Sequence, residues 1–328
     1  MTSLPGSSPD EIAQAARLLA SGGLVAFPTE TVYGLGAAAD DPAAVARVFK
    51  VKGRPSGHPL IVHVADADAL AGLTPEVSEA ALRLAERFWP GPLTLVVARG
   101  AAVRPSVTGG QDTVAVRVPN HPVALALLEA FGRPIAAPSA NRFGAVSPTT
   151  AAHVRADLGG AVDLLLDGGA CAVGLESTIV DLTGASPLVL RPGGVPVEAL
   201  SDALGEPVAV GSRDGIRAPG GLASHYAPDA RVFLCEPDEL DSRVAELSGL
   251  GARVAVLAPA DVPIPGAARA RLVVAEPSAY ARALYAALRD FDAKGMDVVL
   301  AVPPPTSGLG RAILDRLSRA AAPRPESD

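Results

Sequence analysis

The chain has 328 residues, 49% of them hydrophobic and 19% charged, with a formal net charge of −7. That length suits two domains, each with a core of its own, and that composition excludes a disordered chain. The acidic balance argues against a broad nucleic-acid-binding surface while leaving room for a local basic pocket.

In chain order, Ser8-Pro9-Asp10-Glu11 is a helix-capping signature, and Ile12, Ala15, Ala16 and Leu19 then recur at helical spacing until Gly22-Gly23. Leu24–Phe27 is a short apolar run that predicts a buried strand. After it, Pro28-Thr29-Glu30-Thr31-Val32-Tyr33-Gly34-Leu35-Gly36 packs two hydroxyls, a carboxylate, a phenol and two glycines together. Such groups at the end of a strand suit a ligand site, with glycine for close approach; a plain turn uses the same residues. Asp41-Pro42 starts a helix expected to run to about Lys50, followed by Lys52 and Arg54 on a Pro-bounded loop. Strand 60–64 follows, then a helix from Thr74-Pro75 to about Phe88, and strands at Leu93–Ala98 and Thr113–Val118. Alternation puts Thr113, Ala115 and Arg117 on one face. A helix at 122–131, a strand at 134–137 ending in Pro138-Ser139-Ala140-Asn141, a helix at 149–158 and strands at 163–167, 177–182 and 187–190 complete the first unit. Varied connections predict an α/β fold with a twisted, mixed sheet.

Residues 205–229 are rich in Gly, Pro, Ser and Arg and read as an interdomain linker. From 230 to 328 strands and helices alternate regularly, which predicts a smaller, Rossmann-like parallel α/β domain. It has no Gly-x-Gly-x-x-Gly after its first strand, so no dinucleotide site follows. Cys171 and Cys235 have neither metal-ligand spacing nor a disulfide framework, which fits a reducing cytosol. Met1–Arg17 lacks the basic and apolar regions of a signal peptide, and no apolar run approaches the roughly 20 residues of a membrane span. The expectation is a cytoplasmic protein without membrane attachment.

Lys52 and Arg54 share a loop; two solvated charges would look the same, and so would a phosphate clamp. The chain has no Walker A sequence. Arg117 closes an apolar strand face and needs an anionic partner, either a protein carboxylate or a ligand. His63 lies inside an apolar strand, either facing a cleft or satisfied in the core, whereas His121 and His153 look like helix-start or surface residues.

The motif from Pro28, the Lys52-x-Arg54 pair and the Ser139-x-Asn141 pair resemble those of the YrdC-type threonylcarbamoyl-AMP synthases. The resemblance continues through Glu176-Ser177-Thr178-Ile179, Leu190-Arg191-Pro192-Gly193 and His225-Tyr226-Ala227-Pro228, the last marking the two-domain branch. It implies a catalytic domain at 1–204, a linker at 205–229 acting as an active-site lid and a small domain at 230–328. It implies catalytic roles for Lys52 and Arg54, and threonine at Thr31, His63, Arg117, Ala137 and Ser177. It implies ATP at Arg54, His58, Thr113, Ser139, Asn141, Ser147, Arg191 and Tyr226. His58 stands where other members carry Asn, and the family's Ser and Met are replaced by Ala218 and Gly221, leaving less apolar area to pin the lid. The implied reaction joins L-threonine, bicarbonate and ATP, with Mg2+ on the triphosphate, and hands its product to the machinery that modifies tRNA. No stable nucleic-acid complex is expected; the rival is an RNA-binding module that grips a backbone with the same basic groups, which the acidity and the 4% aromatic content disfavour.

Overall fold

The computed structural model describes residues 7–220 and 226–323. They fall into two compact units, one formed by 7–143, 147–172 and 176–220, the other by 144–146, 173–175 and 226–323. Residues 205–220, expected in a linker, therefore belong to the first unit.

The elements of the first unit are α1 (Pro9–Ala20), β1 (Val25–Phe27), β2 (Gly34–Ala38), α2 (Pro42–Lys52), β3 (Ile61–His63), α3 (Glu79–Phe88), β4 (Leu93–Ala98), α4 (Pro105–Thr108), β5 (Thr113–Arg117), α5 (Pro122–Phe131), β6 (Ile135–Ala136), α6 (Ala151–Leu158), β7 (Leu164–Leu165), β8 (Thr178–Asp181), β9 (Leu188–Arg191), α7 (Val197–Leu204) and β10 (Ala209–Val210). The strands form one sheet in the order β10-β9-β8-β4-β5-β3-β6-β2-β1-β7. Parallel pairs such as β3 with β5 and antiparallel pairs such as β4 with β5 coexist, so the sheet is mixed as expected.

Alternation divides the sheet chemically. One face sends Val62, Leu95, Val97, Val116 and Val180 into a core shared with Val48 of α2, Leu84 of α3 and Leu200 of α7. On the other face, α1 and α5 cover Val25, Phe27 and Ile135 through Ile12, Leu19 and Leu127. Further along that face Ile61, Val96, Ala115 and Ile179 form a small apolar floor, packed against Ile216 and Ala218. His63 and Arg117 lie between these two coverings, because register places His63 opposite both Arg117 and Ile135.

Three local expectations change. The helix expected to end near Lys50 runs to Lys52, where Gly53 adopts the left-handed conformation that closes it. Lys52 thus stands on the last helical turn and not on the loop. The helix expected from Thr74 starts at Glu79, because the Ser78 side chain accepts from Ala81 N while the Thr74 hydroxyl donates to Glu76 O. Gly34-Leu35-Gly36, the end of the stretch read as a ligand site or a plain turn, lies in strand β2, paired antiparallel with β1. A Cβ on Gly36 would come within 2.8 Å of both Ile135 Cγ2 and Phe27 Cε1. That glycine is there for packing rather than for access to a ligand.

The second unit contains β11 (Arg231–Leu234), α8 (Leu240–Gly249), β12 (Val254–Pro259), β13 (Ala270–Val274), α9 (Pro277–Ala293), β14 (Val298–Ala301) and α10 (Gly310–Ala321). Its sheet, β11-β14-β12-β13, is wholly parallel, as the regular alternation predicted. Val244, Val254, Val256 and Leu300 form its core.

Candidate active site

The site occupies the sheet face between the α1/α5 layer and the floor under Ile216. The Arg117 guanidinium, 4% exposed, comes from the end of β5, and its Nε donates to Gly91 O at 3.2 Å. Its Nη2 lies 2.7 Å from Glu30 Oε1, yet the N–H is not aimed at that oxygen, and neither atom has a hydrogen bond. Glu30 Oε2 accepts from Asn120 N at 3.1 Å. The neighbouring His63 leaves Nδ1 without a partner and meets the Phe27 ring edge-on at 6.0 Å. Burial, reinforced by the Arg117 charge, pushes its pKa down to about 3, so the imidazole is neutral. Ala137, whose N donates to Ile61 O at 2.9 Å, continues the wall. Buried Thr31 is held by Thr29, their hydroxyls 2.8 Å apart. The motif's phenol is structural: Tyr33 is fully buried and its hydroxyl donates to Gly169 O at 2.8 Å.

Lys52 and Asn141 meet directly. Lys52 Nζ donates to Ser139 O and Asn141 O, both at 2.6 Å, with Asn141 Oδ1 at 3.4 Å. Burial and the nearby Arg54 charge push the Lys52 pKa well below its ordinary value, while three surrounding oxygens match the three donors of an ammonium. Lys52 therefore fastens the 139–141 loop, which also joins the sheet through a bridge between Ser139 and Gly34. Just beyond the helix end, buried Arg54 donates to Pro59 O at 2.9 Å. Half-buried His58 packs edge-on against Phe143 at 5.7 Å. Its pKa is lowered by burial and by the charges of Arg54 and Arg217, which disfavours the cationic form.

A third group gathers at the start of β8. Ser177 shares a 2.7 Å contact between hydroxyls with Thr94, and Arg191 Nη2 donates to Ser177 O at 2.8 Å. Buried Ser147 donates to Glu176 Oε1 at 2.6 Å. A Cβ on Gly193 would lie 2.4 Å from the 176–178 backbone, so the turn after Arg191 admits only glycine.

The first half of the expected lid is docked. β10 pairs with β9, and Arg213 reaches the buried Asp181 carboxylate across Gly184. Gln111 brackets Arg217, accepting from its N at 2.5 Å and donating to its carbonyl at 3.2 Å. Arg191 Nη1 holds Pro219 O at 2.9 Å. Ile216 and Ala218 pack onto the floor, which includes Ala115 on β5, the strand that begins at Thr113. Residues 221–225, including His225, lie outside the described residues. Tyr226 belongs to the second unit, where its ring is buried, stacked on Tyr285 at 5.7 Å and faced by Arg316 at 5.1 Å. Its φ of 61° is a left-handed conformation that L side chains rarely adopt.

Sequence reasoning missed Glu30, Thr94 and Gln111. Only Glu30 carried a signal, as a carboxylate within a dense polar motif; Thr94 meets Ser177 across paired strands, and Gln111 meets Arg217, 106 positions away. Among the described residues no group of three or more His, Cys, Asp or Glu stands close enough to hold a metal ion, and no helix is long and apolar enough to cross a membrane.

Comparison with known proteins gives two family matches: the Sua5/YciO/YrdC model, described as "Telomere recombination", over residues 17–193, and the C-terminal domain of threonylcarbamoyl-AMP synthase over 195–322. The chain is 44% identical to the threonylcarbamoyl-AMP synthase of Pyrococcus abyssi over 94% of each chain. It is 44% identical to that of Bacillus subtilis, over 96% of this chain and 94% of the other. The crystal structure of P. abyssi Sua5 complexed with L-threonine superposes with a TM-score of 0.90 at 43% identity, covering 96% of this chain and 95% of that one.

Proposed function

The chain belongs to the Sua5/YciO/YrdC family, in its two-domain branch, and on that premise we propose that it is an L-threonylcarbamoyladenylate synthase, a nucleotidyltransferase that condenses L-threonine, bicarbonate and ATP and releases pyrophosphate. The observation that carries the amino-acid half is the buried Arg117 guanidinium, whose Nη2 meets Glu30 without an aligned hydrogen bond, beside a neutral His63 whose Nδ1 has no partner. A guanidinium fork fits a carboxylate, and an uncharged imidazole fits a hydroxyl. Ala137, Thr31 and Ser177 complete that subsite. The nucleotide subsite is assigned to Arg54, His58, Thr113, Ser139, Asn141, Ser147 and Arg191, with Lys52 holding the 139–141 loop in place.

In this reading the threonine amine and bicarbonate form a carbamate whose oxygen attacks the α-phosphorus of ATP. The residues supply orientation and positive charge rather than covalent chemistry. Mg2+ would neutralise the triphosphate, travelling with it; the described residues offer no carboxylate cage for it, and none is assigned to it. The product would pass to the machinery that builds threonylcarbamoyladenosine in tRNA.

Pyrophosphate release should require threonine, bicarbonate and ATP together. Release without threonine, unchanged when threonine is added, would refute the assignment. Binding of RNA that needs neither ATP nor threonine and weakens steeply with salt would support the rival reading.

A further inference from the structure

Glu30 is a buried carboxylate in direct contact with Arg117, and the proposed reaction leaves it without a task. As a simple counter-ion it would be expected to accept a well-aligned hydrogen bond from the guanidinium. It does not. Each partner is anchored at its far end, Glu30 Oε2 by Asn120 N and Arg117 Nε by Gly91 O. At the near end Glu30 Oε1 and Arg117 Nη2 face each other at 2.7 Å without a hydrogen bond, and His63 Nδ1, from the position paired with Arg117, is unpartnered as well. Buried polar atoms without a hydrogen bond are uncommon, and here an acceptor anion and a donor cation face each other unaligned, with a neutral imidazole at the strand position paired with the cation. An α-amino acid carries a cation and an anion on a single carbon, which is the complement of this set.

We propose that Glu30 holds the amine of the amino-acid substrate and accepts the proton which that amine must lose. This rests on the reading of the site as a threonine carbamoylation site. Threonine arrives as an ammonium, which has no lone pair. One N–H bond breaks and an O–H bond forms on Glu30, leaving a neutral amine. The amine lone pair forms the N–C bond to bicarbonate, the C–OH bond breaks, and the departing hydroxide takes the second nitrogen proton as water. The carbamate keeps the negative charge, and Glu30 returns its proton to solvent. Arg117, released from its misaligned partner, is then available to the carboxylate.

Calorimetry tests this with L-threonine and its analogue 2,3-dihydroxybutanoate, in which a hydroxyl replaces the amine. The wild-type protein should prefer threonine by roughly 10- to 150-fold, the worth of a hydrogen bond between charged groups. Glu30→Gln should bind the two within about threefold of each other, and its pyrophosphate release should fall by about 100-fold or more and recover as pH rises and free amine accumulates. Glu30→Asp, which keeps the charge, should retain the preference. Equal wild-type affinity for the two ligands overturns the proposal without any variant, as does a Glu30→Gln protein with wild-type preference and turnover. A wild-type protein that binds no threonine at all would instead sink the functional reading beneath it.

Discussion

His63 makes the stability of the first unit depend on pH in a way that can be calculated. Burial and Arg117 hold its pKa at about 3 against an ordinary 6.5. The folded value is the lower one. Well above pH 6.5, by about pH 8, both states are neutral and no linkage exists. Below it the unfolded chain takes up a proton that the folded chain refuses, so stability falls as pH falls, until about pH 3. The slope is about 1.36 kcal/mol per pH unit. Between pH 8 and 4.5 this amounts to about 2.7 kcal/mol, a roughly 100-fold shift in the unfolding constant. Carboxylates titrate over the same interval, so the comparison is with His63→Gln, which has no ionisation to lose. Relative to that variant, the wild-type protein should lose about 2.7 kcal/mol on going from pH 8 to 4.5. Urea unfolding can be followed through Trp89, the only tryptophan, which is buried in the first unit and donates to Leu93 O at 2.7 Å. Equal pH dependence of the two proteins, or an NMR titration placing the His63 midpoint near 6.5, would refute the reasoning.

Arg117→Ala should weaken threonine roughly 10- to 150-fold with little change for ATP, and Arg54→Ala should do the reverse; calorimetry giving the opposite ranking would exchange the two subsites. Lys52→Met strands two carbonyls that now accept from an ammonium, so it should cost about 3 kcal/mol or more of stability by Trp89 fluorescence and weaken ATP as well; a stable variant with intact ATP binding would show that the 139–141 loop holds itself. Gly36→Ala forces a methyl against Ile135 and Phe27 and should destabilise the first unit by about 1–3 kcal/mol, and a neutral result would mean that the sheet yields there at no cost. Limited proteolysis of the free protein should spare residues 209–219, and rapid cleavage there without ligands would show that the strap is not docked.

Local signals sufficed wherever a residue's neighbours in sequence decide its conformation. The capping box at Ser8 and Glu11 forms as expected, with Glu11 N donating to Ser8 Oγ at 3.3 Å and Ser8 N to Glu11 Oε2 at 2.7 Å. His121 caps α5 through Nδ1, consistent with its helix-start position. The alternating second unit came out strand for strand, because its buried central strands β12 and β14 write apolar runs and the helices between write a different period. The shared face of Thr113, Ala115 and Arg117 follows from the period of a strand and needs no tertiary information. Tertiary structure decided what those groups touch. Whether Lys52 meets phosphate or backbone depends on a loop 87 to 89 positions away, and spacing within 52–54 cannot hold that information. Gly36 could not be told from a ligand glycine until Phe27 and Ile135 were brought against it. The strap from 209 to 219 has no periodicity, since its order comes from partners at Asp181, Gln111 and Arg191 and not from its own residues. Glu30 and Arg117 are 87 positions apart; only the pairing of β1, β2, β6, β3 and β5 into one sheet brings a carboxylate, a guanidinium and an imidazole to a single buried point.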